Sequence, residues 1–337
     1  MKTNDIIMKD IENKLSGDLE KDILFVNAQA ETYKNNKEVL RDCKRLLSRL
    51  LSEYENNIKS FRPTQCLEAD IMKTLDEVKL NLSKKDYSKA LGITEDLITD
   101  IEYFGTVEEN EFNEFLIFDE TFEEILYWFL FKPQKKICQT IIPYTNVYLT
   151  YGSILIILGK YKEARMAIEK ALRWNPVNFE INHAYNDTYR FENNWDKFYQ
   201  LTLDTFKIAF TPKNLAICFS NMGTFFLEKG HYPAAIACYF LSLEYDDKEY
   251  TFIQSQLFYI STITNKVVEK PSWEEMKKLS KEYRFPLYPN EDVLSLAYYN
   301  GIKALQENKE NPAKYFLSIY FNLTQDEEVK EILENLD

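Results

Sequence analysis

Residues 145–178 read TNVYLTYGSILIILGKYKEARMAIEKALRWNPVN, and this stretch decides the fold. It holds two helix-length runs separated by Gly159-Lys160 and closed by Pro176. In the first run Tyr148, Tyr151, Gly152 and Leu155 recur at helical spacing; in the second, Ala164, Ile168 and Ala171 do the same. Gly152 and Ala164 are small, so two helices can approach closely there, while Tyr148, Leu155, Tyr161 and Ile168 fill the space around that contact. Pro176 stops the second run because it lacks the N–H that a continuing helix needs.

With Thr145 as the first of 34 positions, this pattern resembles the tetratricopeptide repeat, with Tyr148, Tyr151, Gly152 and Leu155 at the first-helix signature sites. A second unit starts at Phe179 and keeps Tyr185, Tyr189 and Trp195, but has Asn186 and Phe198 where small residues are expected. A third starts at Ala216, with Gly223, Phe226, Gly230, Tyr232, Ala235 and Tyr239 in place. Four of the chain's 8 glycines, Gly152, Gly159, Gly223 and Gly230, stand at the two repeat glycine sites. The resemblance implies an all-α fold: a right-handed superhelical solenoid of antiparallel helix pairs, with an N-terminal helical extension.

Outward from this block the scheme continues in weaker form. Leu75, Val78, Leu82, Tyr87 and Ala90 suggest a degenerate unit near 75–98, and Gly301 and Ala313 supply the small sites of another toward the C-terminus. Residues 250–283 read as two helices, the second opened by Pro271. Val329, Ile332, Leu333 and Leu336 make a final capping helix over 326–336. Toward the N-terminus, Val39, Leu40, Cys43, Leu46, Leu47, Leu50, Tyr54 and Ile58 form one face of a long helix. Phe115, Phe118, Phe122, Ile125 and Phe129 predict another. The expected organisation is an N-terminal helical region over 1–140, then an array over 141–337. That array has units near 145–178, 179–215 and 216–249 and degenerate units over 250–323.

Composition agrees with helices joined by short loops. Hydrophobic residues make up 45% and aromatics 15% of the 337 residues, enough for a sizeable core, whereas 8 Gly and 10 Pro are too few for many tight strand turns. A net charge of −13 without a basic cluster argues against nucleic acid or an anionic membrane as partner. Five cysteines with no CxxC pair read as buried thiols in a reducing, cytoplasmic setting.

Catalytic and metal motifs are not visible, so a non-enzymatic protein without cofactor or metal is expected. Glu108, Glu109, Glu111, Glu114, Asp119, Glu120, Glu123 and Glu124 form an acidic run that reads as a solvated helix face. His183 and Asp187 lie one turn apart, with Arg190 further along, but no nucleophile motif accompanies them. His231 falls in a repeat turn, and neither histidine has a partner at zinc-ligand spacing.

The resemblance implies that the first helix of each unit lines a concave groove that takes a peptide or helix of another, unknown protein. The groove positions are Asn146, Leu149, Ser153 and Ile156, then Glu180, His183, Asp187 and Arg190, then Ile217, Ser220, Thr224 and Leu227. Leu149 and Ser153 stand where some relatives carry a Lys and an Asn that hold a C-terminal carboxylate, so that clamp is not expected. A peptide-responsive regulator acting through protein contacts, or an accessory subunit of an enzyme, is the alternative to a scaffold.

Overall fold

In the computed structural model, residues 3–34, 36–60, 63–104, 112–140, 142–246 and 250–336 are described. They form 17 helices and two short strands, and the chain divides into two compact units at Asp70/Ile71. The first unit contains α1 (Thr3–Asn13), α2 (Leu19–Thr32) and α3 (Lys37–Ser60). The predicted long helix is α3, and its Val39, Cys43, Leu46 and Leu50 are buried against Ile11, Val26 and Ala30. The side chains of Cys66, Tyr54 and Ile58 lie outside the described residues. The boundary falls within α4 (Pro63–Ser83), which a turn at Lys85 joins to α5 (Tyr87–Phe104).

The second unit is built from helix pairs. They are α7 (Tyr144–Ile157) with α8 (Tyr161–Trp174), α9 (Phe179–Phe191) with α10 (Trp195–Phe206), and α11 (Pro212–Glu228) with α12 (Tyr232–Tyr245). Then come α13 (Tyr250–Thr264), α14 (Trp273–Tyr283), α15 (Glu291–Gln306) with α16 (Glu310–Thr324), and α17 (Glu327–Glu334). The pairing obeys one repeated contact. Gly152 faces Ile168, Gly223 faces Tyr239 and Gly301 faces Leu317, in each case a residue 16 further along, and a Cβ on Gly223 would sit 2.7 Å from the Tyr239 ring. In α9 and α10, where Asn186 replaces the glycine, the same spacing is kept by a hydrogen bond of 2.8 Å from Asn186 Nδ2 to Thr202 Oγ1. Gly159 and Gly230 reverse the chain at φ +72° and +75°, which a Cβ would strain. Side-chain caps on Asn178, Asn194, Thr211, Ser272, Asn290 and Asp326 satisfy first-turn N–H groups.

One segment corrects the sequence reading. The predicted helix through Phe115 and Phe118 begins only at α6 (Thr121–Phe131), because the preceding residues form β1 (Asn113–Leu116). That strand pairs in parallel with β2 (Lys136–Gln139), with Asn113 opposite Lys136 and Leu116 opposite Gln139. Capping at Glu120, where the Glu123 carboxylate accepts from the Glu120 and Asp119 N–H groups, fixes the helix start. The acidic run is therefore not one solvated face. Glu123 is 3% exposed, and its carboxylate also accepts from Asn175 Nδ2 at 2.8 Å and Asn178 Nδ2 at 3.0 Å. Glu108, Glu109 and Glu111 lie outside the described residues. Phe122, fully buried, packs on Phe210 and Phe316 with ring centroids 5.2 and 6.3 Å away. The Tyr315 hydroxyl accepts from the Phe122 N–H and donates to Glu120. This β-α-β insert is thus bolted to the loop before α9 and to α16.

Gly223→Ala forces its methyl into the Tyr239 ring and should cost about 1–3 kcal/mol. Gly92→Ala, in open space on α5, should instead add up to about 1 kcal/mol in chemical denaturation. Glu123→Ala strands the buried amide of Asn175, leaves Asn178 only its bond to Asp119, and should cost about 2–4 kcal/mol, against at most about 0.5 kcal/mol for half-buried Glu124→Ala. Burial raises the Glu123 carboxyl above its ordinary 4.5, so its contribution is full below that value and shrinks as pH rises through the folded value. The Glu123→Ala penalty should accordingly be larger in acid than at neutral pH.

Candidate functional site

Helices α9, α11 and α13 each contribute to one cleft of about 180 Å³, lined by His183, Arg190, Ile217, Ser220, Asn221 and Phe252. On α9, His183, Asp187 and Arg190 are spaced four and three residues apart and share a face. Arg190 Nε and Asp187 Oδ1 lie 2.9 Å apart, in an ion pair whose atoms are buried but out of line for a hydrogen bond. His183 Nε2 is 3.8 Å from Asp187 Oδ2, and His183 Nδ1 is 3.4 Å from Asn221 Nδ2. The His183 ring also lies beside Phe179, at 6.2 Å between centroids. Its orientation is thus set by neighbours on both sides.

From α11, Ser220 and Asn221 are only 8% and 7% exposed, yet both line the cleft. Thr224 bends back to donate to the Ser220 carbonyl, and its hydroxyl is 3.4 Å from Tyr239 OH. Burial pushes the Tyr239 phenol well above the usual range, so it stays neutral beside the Thr224 hydroxyl, in the core behind the cleft. Phe252, 36% exposed, closes the third side from α13. The walls are therefore apolar at Ile217 and Phe252 and polar at Arg190, His183 and Asn221.

Of the groove residues expected from sequence, His183, Arg190, Ile217 and Ser220 meet in this cleft, and Asp187 stands behind His183 and Arg190. Thr224 supports the wall through Ser220. Leu227 does not line a groove: it is 8% exposed and belongs to the core with Phe226 and Tyr283. Asn146, Leu149 and Ser153 lie on α7, outside the cleft; Asn146 is exposed and the other two are half-buried. Sequence reasoning missed Asn221 and Phe252. Phe252 lies 35 residues after Ile217, one place off the 34-residue register, which falls on Thr251 instead. Asn221, next to a groove position, carries no signal of its own.

Chemically, the cleft offers a guanidinium, an imidazole and an amide beside two apolar walls. Its volume falls below the roughly 300–1,000 Å³ of sites that enclose a drug-sized ligand. It suits one side chain of a larger partner. Among the described residues, no group of three or more His, Cys, Asp or Glu is placed to hold a metal ion. Burial pushes the thiol of Cys218 up to about 12, and Cys238 is raised by the same cause. Both are nucleophilically silent.

The Asp187–Arg190 pair yields a stability prediction. Asp187→Ala leaves a guanidinium 28% exposed without its counter-charge and should cost about 1–3 kcal/mol. Adding Arg190→Ala should cost less than the two single losses together, with a coupling of about 0.5–3 kcal/mol in a double-mutant cycle.

A comparison with curated proteins found no match. Residues 145–178, the α7/α8 pair, match the tetratricopeptide repeat family. The chain therefore carries a tetratricopeptide repeat, set within a succession of helix pairs packed in the same manner.

Proposed function

We propose that this protein is a non-catalytic scaffold that holds a peptide or helix of a partner protein along α9, α11 and α13, with the His183–Arg190–Asn221 cleft as the anchor point. Tetratricopeptide repeats generally mediate protein–protein interaction, which supports the general role. The observation that carries the finer reading is the convergence of His183, Arg190, Ser220 and Asn221 on one small cleft closed by Phe252. An anchor cleft of this size takes one side chain and leaves the rest of the ligand to lie along the helices. The surface beyond the cleft fits: Phe252, Tyr259 and Ile263 recur at helical spacing on α13 and are all exposed. Arg190 and His183 favour an acidic anchor residue, flanked by apolar residues that reach α13. The same proposal places the protein in the reducing cytoplasm, where the four described cysteines, all unpaired thiols, would persist.

Selection from a displayed peptide library against the whole chain tests this. Peptides enriched on the wild type should carry an acidic residue within an apolar segment. They should lose at least about tenfold in affinity, or roughly 1.4 kcal/mol, toward His183→Ala/Arg190→Glu of equal thermal stability. Peptides that bind that variant as well as the wild type would place recognition elsewhere and end this reading.

A further inference from the structure

The parallel pair of β1 and β2 has one covered edge and one open edge. On the outer side of β1, the Phe115 carbonyl accepts from Arg173 Nη1 at 3.1 Å, and the Ile117 N–H donates to the Trp174 carbonyl at 2.9 Å. The end of α8 therefore covers that side. In β2 and just after it, the N–H groups of Lys136 and Thr140 turn inward and donate to the Phe112 and Leu116 carbonyls. Backbone groups alternate in direction along a strand, so the N–H and C=O of Ile137 and Gln139 point outward. Among the described residues no third strand pairs with β2. A row of unpaired backbone donors and acceptors is a template for another strand. Side chains alternate as well. Leu116 and Ile137 lie on the core side, whereas Cys138, its Sγ 3.8 Å from Asn113 Oδ1, lies on the opposite face.

We propose that this edge pairs with the same edge of a second copy of the chain, antiparallel about a two-fold axis centred on Cys138. Within Lys136–Gln139, only the register that sets Ile137 opposite the partner's Gln139 uses every outward group, each N–H meeting a C=O across the axis. The same register sets Lys136 opposite the partner's Thr140, so no like charges face one another directly. The two Lys136 positions stand four residues apart along the pair, about 13 Å, beyond the screening length of about 8 Å at physiological salt. Cys138 meets the partner's Cys138 at a site without backbone bonds, where Cα atoms approach to about 4.5 Å. That spacing falls within the roughly 4.4–6.8 Å of a disulfide, which makes the thiol a reporter of register. The product is a four-stranded sheet, β1-β2-β2-β1, with α8 at both outer edges and no open strand left. The strand is short and each copy carries a net charge of −13, so the dimer forms reversibly with concentration. None of the residues that line the α9–α11–α13 cleft takes part, so the pairing stands apart from the peptide reading.

Sedimentation velocity of the full chain in reducing buffer tests the proposal. The wild type should shift from monomer toward dimer as concentration rises. Gln139→Pro should stay monomeric over the same range, with helical content and Tm unchanged. Proline there deletes an outward N–H from an exposed position and leaves the bonds to β1 in place. With copper phenanthroline as oxidant, the wild type should give a dimer linked from Cys138 to Cys138, and Cys138→Ser should lose that link. Lys136→Cys/Cys138→Ser should form no link at position 136, because the register holds the two positions apart. A wild type that stays monomeric, a Gln139→Pro protein that dimerises as well as the wild type, or a dimer that oxidation does not link through Cys138 overturns the proposal.

Discussion

The second unit depends on how closely two helices can approach. Gly152, Gly223 and Gly301 let a side chain from the partner helix lie against bare backbone, and the partner is Ile168, Tyr239 or Leu317, always 16 residues on. Packing at protein density leaves no room for an added methyl there. Asn186 shows that the constraint is distance rather than glycine itself, since a buried hydrogen bond to Thr202 holds α9 and α10 across the same interval. That solution is polar, and it leaves Asn186 Oδ1 buried without a partner.

The cleft inherits its geometry from this packing. Asn186 points into the helix pair, which turns His183, Asp187 and Arg190 toward α11. Gly223 and Tyr239 hold α11 against α12, which leaves Ser220 and Asn221 facing α9. The site is thus set by rigid helices rather than loops, and its charged members are oriented by each other: Asp187 lies between His183 and Arg190.

The helix pairs were legible because small residues recur where backbones touch and glycines recur where the chain turns. The insert was not. Phe115, Phe118, Phe122, Ile125 and Phe129 are spaced as a helix requires, and only a partner strand some 20 residues away makes the first of them extended. The continuous apolar run Phe115–Phe118 is too short for periodicity to tell strand from helix, and tertiary pairing decides between them. The burial of Glu123 was equally hidden, since its partners Asn175 and Asn178 are 52 and 55 residues distant. At the cleft, the repeat register pointed to His183, Arg190 and Ser220. Leu227 was misplaced because its turn of α11 faces the core rather than α9.

The Tyr315 hydroxyl that clasps Glu120 and the Phe122 amide spans 193 to 195 residues of chain. A polypeptide leaves the ribosome at about 5–20 residues per second, so α6 waits about 10–40 s for this partner. Until then the Phe122 ring has no Phe316 to cover it, while the pairs from α7 to α12 can already close on local contacts. The order of synthesis therefore leaves the contact between α6 and α16 to form only once α16 has been made, after the pairs from α7 to α12.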